Sequence, residues 1–213
     1  MNQNKHHPAL LFTGKLISYI FHPLFIPTYI FFLLIRIFPF EFAGINPWEL
    51  HMKTFSVFWM TAFFPGFAVF LMWKLKLIEN MYLRTQKERI IPFFISMFFY
   101  WWMYYLSRNF TDQPIVLKFF YFGIFISTSI GVVINNFIKI SLHGMAMGGA
   151  LTVIIFFSIY YQAPISLVII AAIFLTGLVS TARLLVSNHT VPEVYIGLLV
   201  GAICQIAAYY LIL

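Results

Sequence analysis

The chain has 213 residues, of which 62% are hydrophobic, 21% aromatic and only 9% charged. A soluble domain carries roughly 25% charged residues, so this composition excludes a soluble enzyme and a disordered chain, and a single cysteine excludes a disulfide scaffold. Thirteen Lys and Arg against six Asp and Glu give a net charge of +7, an excess that in so apolar a chain fits anionic head groups or a phosphate-bearing substrate rather than nucleic acid.

A helix needs about 20 apolar residues to cross a bilayer, and seven apolar runs come near that length. The first covers about 17–40 and contains Pro23 and Pro27, which predict a kinked or partly re-entrant segment. The second covers about 54–77, and the third about 90–107. The remaining four cover about 115–137, 143–161, 164–182 and 192–213. Residues 90–99 do not alternate, which argues against barrel strands and for helices that satisfy their own backbone. The expected fold is an all-α polytopic transmembrane helical bundle of six to seven spans, forming one domain over 1–213. Residues 1–15 are polar and basic, and the apolar run after them is too long for the core of a cleavable signal peptide. Trp48, Trp59, Trp73, Trp101, Trp102, Tyr160 and Tyr161 fall near proposed span ends, as interface aromatics do. Gly144, Gly148, Gly149, Gly197 and Gly201 are placed for close helix packing. Cys204, in an apolar run, reads as a packed small residue.

Polar groups beside or inside spans are expensive and mark function by default. They gather in three stretches. The first, 84–92, holds Arg84, Lys87, Glu88 and Arg89; the second, 139–144, holds Lys139, Ser141 and His143; the third, 183–193, holds Arg183, His189 and Glu193. Two spans separate the first stretch from the second, and two more the second from the third. An even number of crossings returns the chain to the same side, so all three stretches are expected on one face of the membrane.

Several cations and a hydroxyl converging at head-group depth suit a phosphate dianion, because Arg binds phosphate through planar paired hydrogen bonds. Two histidines suit nucleophile and general-acid roles. Glu193 comes four residues after His189, so on a helix opening near Pro192 its carboxylate can reach back to the imidazole and fix its tautomer. No second carboxylate joins them, so no metal or other cofactor is expected. Taken singly, each group has an ordinary explanation. Arg84, Lys87 and Arg89 suit a basic cytoplasmic loop, Lys139 a snorkelling side chain, and a lone histidine an interfacial position. His22 and His51 have no partner cluster in the sequence, and His6 and His7 lie in a polar tail; all four stand outside the expected site.

Arg183, five intervening residues, His189 and then an acid four positions on resemble the third motif of the type 2 phosphatidic acid phosphatase (PAP2) superfamily. Ser141-Leu142-His143 is similar to its second motif, and the order of the three stretches also agrees. The resemblance covers about 84–200. It implies a PAP2-like helical core and a metal-independent lipid phosphatase. His189 would attack phosphorus to form a phosphohistidine, Glu193 would orient it, and His143 would protonate the leaving group. Ser141 and Arg183 would hold phosphoryl oxygens, and Arg89, with Lys87 or Arg84, would supply the first motif's cations; apart from the resemblance, Lys139 in the second stretch is a further candidate phosphate contact. The chain departs from the pattern at four places. Tyr82 stands seven residues before Arg89 where the family has Lys, Pro92 comes three residues after Arg89 rather than directly, Leu142 replaces Gly, and Glu193 replaces Asp. The two spans between the first and second motifs also exceed the family's usual arrangement.

The implied substrate is a lipid phosphomonoester or diphosphate, such as phosphatidate, phosphatidylglycerophosphate, an isoprenyl diphosphate or a lipid A phosphate, drawn from the lipids around the protein in a bacterial inner membrane. A phosphotransferase using the same histidine, and a lipid-binding or transport protein without chemistry, are the alternatives. Nine Lys and Arg fall on the motif-bearing side and four opposite; without the five proposed phosphate ligands the count is four against four. That leaves open which face of the membrane carries the site.

Overall fold

The computed structural model describes residues 7–81, 83, 85–109, 113–187 and 189–213. Among these every regular element is a helix. Two short helices, α1 (Pro8–Ile20) and α2 (Ile26–Ile37), are followed by a single 3-10 turn at Pro39–Phe42. Then α3 (Pro47–Phe58) and α4 (Phe64–Lys74) join through a π turn at Trp59–Phe63 into one 28-residue helix. The rest are α5 (Gln86–Asn109), α6 (Ile115–Asn135), α7 (Leu142–Tyr161), α8 (Ser166–Val186) and α9 (Val191–Ile212). Six helices, counting Pro47–Lys74 as one, are long and apolar enough to cross a bilayer. The protein is an integral membrane protein.

Local chemistry explains the punctuation. Proline disfavours helical backbone in the residue before it, and α1 gives out at His22-Pro23 as α2 does at Phe38-Pro39. Asn46 starts α3 by accepting from Trp48 N at 2.9 Å, with Pro47 in the first turn. The π turn precedes Pro65, which has no N–H to give, and the widened turn absorbs the missing bond. α7 closes on Gln162 in the left-handed conformation.

The expected first span is therefore two helices with a break at residues 21–25. The break lies at one end of the bundle: the His22 ring is 5.6 Å from that of His143, in the first turn of α7. The far end of α2 lies at the opposite end, where Phe38 stacks on Tyr161, the last residue of α7, at 4.1 Å. α2 thus lies along α7, with His22 at the loop end before it, while α1 packs on α8, its Gly14 against Val186.

The tightest contact in the bundle is between α7 and α9. A Cβ on Gly148 would collide with the Leu198 carbonyl, and one on Gly201 with the Met145 carbonyl. Gly144 and Gly197 face Val194 O and Ser141 O at 2.6 Å from where a Cβ would sit. Two glycines four apart on each helix let the backbones meet, a membrane packing device that relies on contact rather than on hydrophobic drive. Because the contact begins in the first turns of both helices, it holds residue 141 beside residue 193. Below it, Gln205 Nε2 donates to Phe120 O at 3.1 Å and ties α9 to α6. Phe31, Leu34, Phe119, Tyr121, Val153 and Phe157 fill the interior.

Candidate functional site

Three loops meet at the end of the bundle where α5, α7 and α9 begin. α5 is braced to the end of α6 by paired amides: Gln86 Nε2 donates to Asn135 O at 2.8 Å, and Asn135 Nδ2 returns to Gln86 O at 2.9 Å. Glu88 caps α5, accepting from Thr85 N at 3.0 Å and Oγ1 at 3.1 Å and from Glu79 N at 3.3 Å. Arg89, one turn in, donates from Nε to Leu83 O at 2.9 Å and from Nη1 to Ile140 O at 3.0 Å. This buried guanidinium therefore sews the first loop to the second.

The second loop is joined to the third through backbone. Ser141 N donates to Glu193 O at 3.2 Å. The Ser141 hydroxyl, fully buried, accepts from Gly144 N at 3.2 Å and caps α7. Its role is first that of an N-cap, and among the described residues its own proton has no acceptor. The third loop is closed by a capping box: Thr190 and Glu193 each accept from the other's backbone N–H, with Thr190 N to Glu193 Oε2 at 3.1 Å. The same Oε2 meets His189 Nδ1 at 2.9 Å. A carboxylate accepts, so Nδ1 carries the proton and Nε2 holds the lone pair. The expected reach of Glu193 back to His189 is present, and the extra methylene of Glu lets one oxygen serve both the helix cap and the imidazole.

His143 is held differently. Its Nε2 lies 3.0 Å from Ser18 O, a carbonyl released where α1 ends, so Nε2 is the donor and Nδ1 the lone-pair nitrogen. Arg183, in the last turn of α8, lies within electrostatic reach of Arg89, Lys139, His143, His189 and His22. Its Nε is buried with no hydrogen-bond partner among the described residues, which makes it a donor awaiting an acceptor.

Arg89, Arg183 and Lys139 set three cations against the Glu193 carboxylate, while Glu88 is engaged in capping. Outside the spans the imbalance shows in the titration of the neighbours. Burial pushes His189 below its ordinary 6.5; the Glu193 hydrogen bond opposes this, and Arg89 and Arg183 add to it. Burial pushes His22 down to about 4, with Arg183 adding. Burial also lowers Lys139, helped by Arg89 and Arg183 and opposed by Glu193. Burial leads each shift, and the repulsion from Arg89 or Arg183 that adds to it marks a local excess of positive charge. An anion would relieve it.

No protein-family model, curated protein or solved structure matches this chain.

Of the residues expected from sequence, the structure brings together His189, Glu193, His143, Ser141, Arg183, Arg89 and Lys139. Lys87 is exposed, and none of the described interactions joins it to the cluster. Arg84 and Tyr82 lie outside the described residues. The residue that sequence reasoning left out is His22, which sits against His143 at the break between α1 and α2. Irregular backbone at membrane depth is tolerated only inside protein or beside a cavity, so a histidine next to a proline break within an apolar run was the available signal. Among the described residues no group of three or more His, Cys, Asp or Glu is placed to hold a metal ion.

Proposed function

We propose that this protein is a lipid phosphatase of the type 2 phosphatidic acid phosphatase superfamily, cleaving a lipid phosphomonoester or diphosphate through a phosphohistidine. The observation that carries the reading is the His189–Glu193 pair, 2.9 Å apart, with a lone-pair Nε2 on a neutral imidazole beside three cations. A helical rather than barrel architecture fits the cytoplasmic membrane of a bacterium.

The chemistry follows from these positions. Arg183, Arg89 and Lys139 hold the phosphoryl oxygens, on which charge builds in the transition state. The His189 Nε2 lone pair forms the P–N bond as the P–O bond to the lipid breaks. His143 keeps its Nε2–H on the Ser18 carbonyl, so the proton it gives the leaving oxygen is the one on Nδ1. Nδ1 takes up that proton from solvent as the dianionic substrate binds, and His143 acts as the imidazolium with the substrate as counter-charge. Neutral His143 then takes a proton from the water that attacks phosphorus, the P–N bond breaks, and phosphate leaves. Glu193 holds the His189 tautomer throughout and balances the charge the ring gains.

Purified protein in detergent, with chelator, should release phosphate from at least one member of a panel of lipid phosphates, and His189→Ala should abolish that release. Phosphate release by His189→Ala at the parent rate would refute the reading. Transfer of the phosphoryl group to a lipid hydroxyl instead of water would make the protein a transferase using the same histidine.

A further inference from the structure

We infer that His22, at the break between α1 and α2, is a third histidine of the site and donates its Nε2–H to an oxygen of the bound phosphoryl group beside Arg183. The inference rests on reading the cluster as a phosphate site and adds to it a ligand from the N-terminal segment.

Four observations converge on it. His22 is placed by the break itself: Pro23 takes the backbone out of helix, and Leu24 N donates to His22 Nδ1 at 3.4 Å. That bond assigns the lone pair to Nδ1 and the proton to Nε2. The ring is fixed in position by edge contacts, 5.6 Å from the His143 ring and 6.0 Å from that of Phe25. It stands within electrostatic reach of Arg183, whose buried Nε has no partner among the described residues. Among the described residues Arg183 Nε thus lacks an acceptor, and beside it, among several cations, stands the N–H that the Leu24 bond leaves on His22 Nε2.

The same segment also holds the general acid, since Ser18 O accepts from His143 Nε2. Residues 18–24 therefore fix one histidine by a carbonyl and a second by an N–H. The burial that keeps His22 neutral keeps it a one-proton donor until an anion arrives. A phosphate dianion then raises its basicity and strengthens the bond it gives.

The test compares His22→Asn with His22→Gln in the full-length protein. Asn can still accept from Leu24 N but is too short to place a donor where Nε2 sits; Gln places its amide N–H there. The probe is inorganic phosphate, with binding followed by calorimetry, alongside KM for the lipid phosphate that the parent cleaves fastest. A hydrogen bond to a charged group is worth about 1.5–3 kcal/mol. His22→Asn should therefore bind phosphate at least tenfold more weakly and raise KM by a similar factor, while His22→Gln stays within about threefold of the parent. Should His22→Asn fail to fold, His22→Phe, which keeps a ring against His143 and Phe25, carries the same expectation.

Parent-like phosphate affinity in His22→Asn or His22→Phe would overturn the inference while leaving the phosphatase reading intact. Equal losses in His22→Asn and His22→Gln would also overturn it, because the ring and not the donor would then matter. If the parent binds phosphate but releases none from any lipid, the binding comparison alone decides. A parent that neither binds phosphate nor differs from His189→Ala would bring down the phosphate-site reading, and this inference with it.

Discussion

Replacing Glu193 by Gln separates the two tasks its carboxylate performs. Oε2 accepts from Thr190 N at 3.1 Å and from His189 Nδ1 at 2.9 Å. Gln retains a carbonyl oxygen for both, and Gln is a normal partner in a capping box, so the helix start should persist. What disappears is the negative charge. A hydrogen bond to a charged acceptor contributes about 1.5–3 kcal/mol and a neutral one about 0.5–1.5. The imidazole, which becomes cationic as it attacks phosphorus, thus loses about 1–1.5 kcal/mol in the transition state, or roughly tenfold in rate. If the Gln amide instead turns its NH2 toward Nδ1, the proton moves to Nε2 and the nucleophile is lost. The corresponding change in a serine protease triad costs about 10⁴ in rate. Glu193→Gln should therefore slow phosphate release by between ten and about 10⁴-fold at a nearly unchanged unfolding midpoint. Glu193→Ala should slow it as much and also destabilise the protein. It loses a cap worth about 1 kcal/mol and strands a buried N–H at about 1–3 kcal/mol. Phosphate release and thermal unfolding in one detergent provide both readings. A folded Glu193→Gln that turns over at the parent rate would refute the role assigned to this pair.

Two further outcomes concern the scaffold. Gly201→Val should abolish a monodisperse folded species in size-exclusion chromatography, because its Cβ meets the Met145 carbonyl backbone; Gly177→Ala, with nothing within 4 Å, should be neutral or slightly stabilising. Stability should fall on acidification. His189 and His22 are held below their ordinary 6.5 by burial, His22 to about 4. Between those values the unfolded chain binds more protons than the folded one, so stability is present above about 6.5 and lost as pH falls toward 4. Thermal unfolding across that window, with and without inorganic phosphate, checks the sign. A midpoint that stays flat or rises as pH falls would contradict it.

Much of this molecule was legible in its residues, for identifiable reasons. Span counting placed the three polar stretches on one face because it needs only parity, and parity survives errors of several residues at each helix end. The His189–Glu193 contact follows from four-residue spacing at a helix start that Pro192 marks. The glycine pairs at 144/148 and 197/201 are visible as spacing, and their purpose follows from the absence of a hydrophobic drive between helices in lipid. Helix ends were less legible. Hydropathy stops where polar residues begin, yet backbone hydrogen bonding continues through them, so Arg89 and Arg183 belong to helices α5 and α8 rather than to loops. The Ser141 hydroxyl was expected on phosphate alone, and what the structure shows is that it caps α7. His22 was missed because a proline break has no period, and its neighbour His143 is distant in sequence.

The most direct test of the proposed chemistry is to trap the covalent intermediate. The parent protein, mixed with a lipid phosphate labelled in the phosphoryl group and quenched within its turnover time, should carry acid-labile label on a single histidine. His189→Ala should carry none, and Glu193→Gln should accumulate it more slowly. Label retained by His189→Ala, or parent protein that releases phosphate without ever becoming labelled, would contradict a phosphohistidine at His189.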